Sequence, residues 1–316
     1  MSGIFGKIIS PRYPSAAASI ERGKVAVVQL DKTRQGFNIK RGATVTFSDT
    51  LVSPSFESNS NLSDLNELAG ALSDAALAAG LGKQRNWSIA LPEASTRSII
   101  LTLESVPNSK NELHEILRWK TERAFGLTEA EIQVSREHLG PDNAGRDRYL
   151  ATAVRKSVLA EFEAVFESLS WRAGLILPRS LAEAQWLTKV RRPGDSLLVS
   201  SHEDGFTVSV YRNGQPLAVR SIICETADQQ DELYRFLLFY RDRLAPQGED
   251  AEPHSIQRLL LAGDGFVSSS VTTLAHETLD TDLHALSAAE IGLSLPTSEF
   301  SFRDFAAPAA LASMAW

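Results

Sequence analysis

The stretch SLLVSSHEDGFTVSVYRNG, residues 196–214, predicts a β-hairpin with an unusually polar turn. Its apolar LLV and its alternating TVSVY are typical of strands, and the polar HEDG between them favours a tight turn. The Asn-Gly pair that follows favours a second hairpin turn, because both residues tolerate positive φ. The first turn gathers the polar side chains of residues 200–204. They either perform chemistry or mark a site that has lost it.

A similar pattern lies near the N-terminus, where SIERGKVAVVQL spans residues 19–30. Residues 15–52 predict three or four short strands, and each hairpin region is followed by a helix and then a buried strand. Between the two regions, residues 98–177 predict the order β-α-β-β-α-β. The chain is therefore expected to form a first half at 1–97 and 178–193, an inserted subdomain at 98–177, and a second half at 194–316.

The composition excludes several classes of protein. A net charge of −7 argues against a nucleic-acid-binding protein, which usually carries a basic excess. The single cysteine and the absence of a close histidine pair predict no metal site of the usual zinc kinds. No apolar stretch approaches the ~20 residues that span a bilayer. The chain is expected to be cytoplasmic or peripheral to a membrane, and its first nine residues are either a weak interfacial anchor or a frayed turn.

Four passages together carry a family resemblance. They are SIERGKVAVVQL, then LRWKTERAFGL with Trp119 and Glu122, then SVYRNGQPLAVRSI, and finally LLLAGDG with the Ala-rich C-terminal helix. In order and spacing the chain resembles the actin-like ATPase superfamily. Within it, the chain is similar to PilM-like type IV pilus assembly proteins, which are relatives of FtsA and of the cytoplasmic part of GspL.

This resemblance implies an α/β fold of the actin-like (ribonuclease H-like) type, with two domains and an inserted β-α-β-β-α-β subdomain. The family usually has a further small subdomain, which helps to clasp adenine, before the helix DELYRFLLFYRDRL. Only TADQQ remains at that place in this chain. The fourth subdomain is therefore expected to be reduced or missing.

The resemblance also implies a nucleotide site that has degenerated. In the superfamily each half offers a hairpin turn to the phosphates, with an Asp for the Mg²⁺ shell and a Gly for close backbone approach. Alignment puts Ser19 and Ser200 at the two Asp positions, and Glu21 and His202 at the two Gly positions. A Gly-rich turn, Gly263-Asp264-Gly265, is retained, but it equally serves an ordinary strand-to-helix connection.

We therefore expect a pseudo-ATPase with no catalytic residues, no metal and no cofactor, in which residual activity stays open. The alternative is an active actin-like ATPase of the same machinery, with ATP and Mg²⁺ at a phosphate site rebuilt from residues 200–204. A sugar-kinase-like transferase would need the phosphate site that is missing. Ser200, His202 and Asp204 cannot easily converge as a nucleophilic triad from one tight turn.

By resemblance, the expected role is a non-catalytic scaffold of a type IV pilus or related type II secretion assembly at the inner membrane. Its expected partner is a PilN-like bitopic protein whose short cytoplasmic tail it binds, with other platform components as further partners. Membrane association would then be peripheral, through that partner. Candidate contact residues are Arg118, Trp119, Glu122 and Arg123, although the pattern also fits Trp119 as core and the arginines as a solvated face.

Overall fold

The computed structural model describes residues 13–142, 144–188, 194–245, 255–296 and 300–316. The strands are β1 (Ala16–Glu21), β2 (Lys24–Lys32), β3 (Phe37–Thr46), β4 (Asn86–Leu91), β5 (Thr96–Thr102), β6 (Ile132–Pro141), β7 (Asp147–Arg155), β8 (Arg172–Pro178), β9 (Asp195–His202), β10 (Gly205–Arg212), β11 (Gln215–Ile223), β12 (Ile256–Ala262), β13 (His284–Ala285) and β14 (Leu293–Ser294). The helices are α1 (Leu65–Ala78), α2 (Lys110–Phe125), α3 (Lys156–Ser168), α4 (Arg179–Thr188), α5 (Gln229–Arg243), α6 (Ser268–Leu279) and α7 (Phe302–Ala312). The expected N-terminal anchor or frayed turn lies outside the described residues.

The first half is built on a six-stranded sheet in the order β14-β3-β2-β1-β4-β8. The predicted N-terminal hairpin is the antiparallel pair β1–β2, and β4 and β8 continue the sheet in parallel. Helices α1 and α3 cover one face, where Leu68, Leu72, Phe162 and Phe166 join the buried side chains of β1 and β2 in one core. Burial on this face explains the apolar periodicity of both helices.

The insert is a three-stranded antiparallel sheet in the order β5-β7-β6, with α2 on one face. Its side chains alternate, so Ile132 and Val134 pack under α2 while Gln133 and Ser135 point to the other face. On α2, Leu117 and Phe125 are buried against the sheet.

The boundary of the insert differs from the expected residues 98–177. The elements follow one another in the predicted order, but α3 and β8 belong to the core and sheet of the first half. Amphipathic periodicity shows that a helix buries one face, but it does not show against which sheet. The compact insert is therefore β5, α2, β6 and β7, residues 96–155.

The second half is built on a five-stranded sheet in the order β11-β10-β9-β12-β13, with α5 and α6 packed on one face. The predicted Asn-Gly turn joins β10 to β11, with Asn213 at φ 53° and Gly214 at φ 78°. Between β11 and α5 there is only one 3₁₀ turn, Thr226–Asp228. The reduced fourth subdomain is thus a feature of the described structure.

A third core lies between the two main sheets and is made by α4 and α7. Helix α7 packs on β1, β2 and α4, and β14 pairs with β3. The C-terminal segment therefore completes the first half, although it was expected to belong to a second half spanning 194–316. None of the helices in the described part of the chain is long and apolar enough to cross a membrane.

Candidate functional site

Two hairpin turns face each other across the cleft between the halves. The β1–β2 turn carries Arg22, and the β9–β10 turn carries Asp204. The Arg22 guanidinium lies 3.0 Å from the Asp204 carboxylate, with both side chains 29% exposed. The two turns that the sequence predicted to form a degenerate phosphate site are thus joined directly by an ion pair.

A cavity of ≈ 540 Å³ remains beside this ion pair. It is lined by residues from both turns, from the Gly-rich turn after β12 and from the start of α5: Glu21, Arg22, Gly23, Lys24, Asp49, Arg179, Ser201, His202, Glu203, Thr226, Gln229, Gly263, Asp264, Gly265 and Arg303. The lining is dominated by charged and polar side chains, so its electrostatics decide what it can bind.

Arg179, at the first residue of α4, is the buried centre of the cleft. Its Nη1 donates to Glu21 Oε2 at 2.7 Å, and its Nε donates to Glu183 Oε1 at 2.9 Å. Burial alone would lower the pKa of Arg179, but the carboxylates of Glu21 and Glu183 outweigh it and hold the pKa above its usual value. Arg179 is therefore a permanent cation that two carboxylates already neutralise.

Burial raises the pKa of Glu183 above its usual range, and the positive charge of Arg179 opposes the rise. The Ser200 hydroxyl lies near this carboxylate without hydrogen-bond geometry. The Glu183 carboxylate is therefore held mainly by Arg179.

Glu93 connects the halves on the other side of this centre. Its carboxylate accepts hydrogen bonds from the Ser180 amide at 2.8 Å and the Ser180 hydroxyl at 2.7 Å. It also accepts one from the Thr207 hydroxyl of β10 at 3.0 Å. A buried carboxylate of the first half is thus satisfied in part by the second half, which fixes the halves relative to each other.

The other two cations of the cleft are paired as well. Lys24 Nζ lies 2.5 Å from Asp304, and Arg303 Nη1 lies 2.6 Å from Asp264. In the part of the chain that the structure describes, every Lys or Arg side chain lining the cleft therefore has a carboxylate partner. A polyphosphate that bound here would have to break one of these ion pairs before it could contact a cationic side chain.

Five of the seven predicted nucleotide-site residues line the cleft, and two do not. Glu21, His202, Gly263, Asp264 and Gly265 are in its wall. Ser19 and Ser200 are buried inside their strands, and neither hydroxyl has a hydrogen-bond partner in the described chain. Strand β9 also runs further than the sequence indicated, so Ser200 and Ser201 belong to the strand rather than to the turn.

One of the two glycines of the Gly-rich turn, Gly263, is required by packing within the protein itself. A Cβ at Gly263, which has φ 79°, would lie 2.3 Å from the Ser201 carbonyl oxygen. A Cβ at Gly265 would lie 2.9 Å from Gln229 Oε1. The backbone contact at Gly263 cannot be relieved, so the packing of the turn on β9 explains this glycine without a phosphate, whereas the Gln229 side chain could move away from a Cβ at Gly265.

His202 is largely buried at the end of β9, and neither ring nitrogen has a hydrogen-bond partner among the described residues. Burial, with the positive charges of Arg179 and Arg22, lowers the pKa of His202 to about 4. The imidazole is therefore neutral at pH 7. It makes no hydrogen bond to Ser200, so the pair lacks the geometry of a nucleophile and its base.

The described residues also contain no group of three or more His, Cys, Asp or Glu side chains that could hold a metal ion.

A second recess lies between the insert and the first half. Its volume is ≈ 310 Å³, and most of its lining is apolar. Leu150 and Val154 of β7 face Ile176, Leu177 and Leu181 across it, and its lining also includes Leu91, Thr96, Gln133, Ser135, Glu137, Thr152, Ala153, Leu159 and Pro178. We call this recess the insert groove. Strand β6 borders it and has one edge without a partner strand among the described residues.

The candidate partner-contact residues of α2 lie on the other side of the insert sheet from this groove. Trp119 is 56% exposed, so it is not a core residue, and the Arg123 guanidinium stacks over its ring at 5.3 Å. Arg118 pairs with Glu115 at the surface. Glu122 accepts a hydrogen bond from the Glu129 amide at 3.1 Å and so holds the loop after α2. Whether these residues contact a partner stays a prediction.

The sequence did not reveal Arg179 and Glu183, which fill the cleft together with Glu21. Arg179 and Glu21 are separated by 158 positions, and no local pattern links them. One signal was available, because Arg179 is a charged residue directly after the apolar run LILP and at the start of a helix. A charge at such a position needs a buried partner, and the sequence did not identify it.

Comparison with known proteins supports the fold. A chain in the solved structure of the PilM–PilN type IV pilus biogenesis complex superposes with a TM-score of 0.75 at 17% sequence identity, covering 96% of this chain and 99% of that chain. A Bacteroides thetaiotaomicron protein with an actin-like ATPase fold and unknown function superposes with a TM-score of 0.50 at 12% identity, covering 96% and 98%. No protein-family model and no curated protein matches the sequence. The chain has the α/β actin-like fold that the sequence predicted.

Proposed function

We propose that this actin-like chain is a non-catalytic scaffold of a type IV pilus assembly, or of a related type II secretion assembly, at the inner membrane. It binds the short cytoplasmic tail of a PilN-like bitopic protein, and the insert groove is the binding site. The observation that carries the proposal is this groove, in a chain whose fold matches a chain of the PilM–PilN complex over almost its whole length. The protein would be cytoplasmic and would reach the membrane through its partner.

The groove has the chemistry of a peptide site. Leu150, Ile176 and Leu181 offer an apolar floor. Gln133, Ser135 and Glu137 stand along β6 at every second residue and offer polar contacts. An extended peptide can pair with a free strand edge through main-chain hydrogen bonds while alternate side chains enter apolar pockets. The open edge of β6 and the groove beside it supply both elements.

We further propose that the protein needs neither ATP nor Mg²⁺. The four cations of the cleft are neutralised within the described chain, and Glu21 adds a carboxylate where a phosphate would lie. The ion pair between Arg22 and Asp204 lies between the two hairpin turns, at the place where phosphates would have to bind. The short connection between β11 and α5 leaves little for adenine to pack against. The residues present do not fit Mg-ATP.

The test is retention of a candidate partner, a bitopic protein with a short cytoplasmic tail. We expect Ser135→Trp, which fills the groove next to β6, to weaken capture of the partner's tail at least about tenfold. Ser135→Ala is the matched control, because it removes only a hydroxyl, and it should bind like the parent. The double variant Arg118→Glu and Arg123→Glu should also keep binding. If the α2 double variant lost partner binding while Ser135→Trp bound the partner fully, the peptide site would lie on α2 instead of in the insert groove.

An active ATPase with a rebuilt phosphate site is the second candidate function. The observation in its favour is the ≈ 540 Å³ cavity, where Asp49 and Glu203 have no ion-pair partner among the described residues and could meet a Mg²⁺ ion. Calorimetric titration with millimolar Mg-ATP separates the two candidates. We expect no saturable heat, whereas a micromolar dissociation constant would favour the ATPase.

A further inference from the structure

A second cleft, between the insert and the second half, concentrates positive charge in a protein whose net charge is −7. Its volume is ≈ 500 Å³, and Arg146, Arg148, Arg212 and Arg243 line it. Asp142 is the only carboxylate residue among its lining residues in the described chain. The cleft is therefore positively charged, although the protein as a whole is negatively charged.

The four arginines divide into two groups. Arg146 is paired with Asp142 at 2.7 Å, and Arg212 donates to both carboxylate oxygens of the buried Asp195, at 2.9 and 2.7 Å. Arg148 and Arg243 have no carboxylate partner among the described residues. The Nε of Arg148 is moreover buried without an acceptor there. A buried charged donor without a partner is costly, so an acceptor from outside the described chain would stabilise it.

The strands beside the cleft supply the apolar and neutral polar part of its wall. Ile100 and Thr102 line it from β5, and Gln215 and Leu217 line it from β11. Each of these strands is the outer strand of its sheet, and the two edges lie too close together to admit a further strand between them. A ligand would therefore be held by the side chains of the cleft wall.

We infer that this arginine cleft binds an acidic segment of a partner protein. Carboxylates suit the planar guanidinium forks of Arg148 and Arg243, because each fork can donate two parallel hydrogen bonds. Ile100 and Leu217 provide apolar contact for side chains between the acidic ones. A single small anion would fill little of this volume. This site is separate from the insert groove and does not depend on the proposed tail binding.

The experiment uses the full chain and a fluorescein-labelled ten-residue peptide of alternating Glu and Val, followed by fluorescence anisotropy at low salt. We expect saturable binding that falls as salt rises. The double variant Arg148→Ser and Arg243→Ser should weaken it at least about tenfold, since two charge-assisted contacts are lost. Arg34→Ser with Arg172→Ser is the matched control, with the same loss of charge at two exposed positions outside the lining of the cleft, and should change binding less than about twofold.

A peptide with Gln in place of Glu should bind at least about tenfold more weakly than the acidic one. Arg243→Ser alone tests the exposed arginine if the double variant unfolds, and it should still weaken binding severalfold. The inference is overturned if the parent protein gives no saturable binding of the acidic peptide, or if both double variants weaken it equally. It is also overturned if pyrophosphate or phosphatidylglycerol vesicles bind through these arginines and the peptide does not.

Discussion

At the scale of single residues, Arg179 decides the electrostatics of the cleft between the two halves. It is buried between Glu21 and Glu183, and removing it would leave both carboxylates without their cation. We predict that Arg179→Met lowers the free energy of unfolding by about 3 to 5 kcal/mol, because breaking a buried ion pair strands the remaining charge. Urea denaturation at pH 7 measures this. Lys40→Met, which breaks an exposed pair with Asp31, is the control and should cost at most about 1 kcal/mol. Equal stability of the two variants would contradict the role assigned to Arg179.

His202 gives the cleft a predictable pH dependence. Its pKa is about 4 in the folded protein, against a usual value of 6.5, so between these values the unfolded chain binds a proton that the folded chain does not. Stability contributed by neutral His202 is therefore present at pH 7 and is lost as the pH falls from 6.5 towards 4. We expect a loss of about 2 kcal/mol between pH 7 and pH 5 from this group.

The measurement compares urea denaturation of the parent and His202→Gln at these two pH values. The variant should lose about 2 kcal/mol less than the parent over this interval. His114→Gln, at an exposed position on α2, should behave like the parent. An identical pH dependence in all three proteins would mean that His202 titrates normally.

At the scale of elements, the placement of α3 separates the first half from the insert. Phe162 of α3 is fully buried in the core with β1, β2 and α1. We predict that Phe162→Ala costs about 3 to 5 kcal/mol and raises hydrogen exchange in α1 and β4. Leu117→Ala on α2 is the counterpart, and it should raise exchange in β5, β6 and β7 instead. If Phe162→Ala loosened the insert strands selectively, the boundary near residue 155 would be wrong.

Some of the secondary-structure elements and their pairings could be predicted from the sequence, and others could not. The hairpins β1–β2 and β10–β11 were predictable, because alternation and an Asn-Gly turn are local signals. The order of elements in residues 98–177 was predictable for the same reason. The assignment of α3 and β8 to the first sheet was not, because it depends on which surface each buries. The clasp of Arg22 with Asp204 joins residues 182 positions apart, and pairing at such separation has no local signature.

At the scale of the whole molecule, the two halves are held together by polar contacts across the cleft and by a shared apolar core. Arg22 with Asp204 and Glu93 with Thr207 cross the cleft. Helices α4 and α7 fill the core between the main sheets. A ligand can shift a conformational equilibrium only by its difference in affinity for the two states. ATP cannot shift the conformation or the stability of a protein that does not bind it. We therefore predict that Mg-ATP leaves the thermal unfolding temperature unchanged. Differential scanning calorimetry with and without Mg-ATP measures this.

The central claim is that partner binding is independent of nucleotide. The most direct measurement is the dissociation constant of the partner's cytoplasmic tail, by fluorescence anisotropy, with and without millimolar Mg-ATP. We expect the same constant in both conditions, because the insert groove is preformed and the cleft has no free cation for phosphate in the described chain. A change of about tenfold or more on addition of Mg-ATP, equivalent to about 1.4 kcal/mol of coupling, would contradict it.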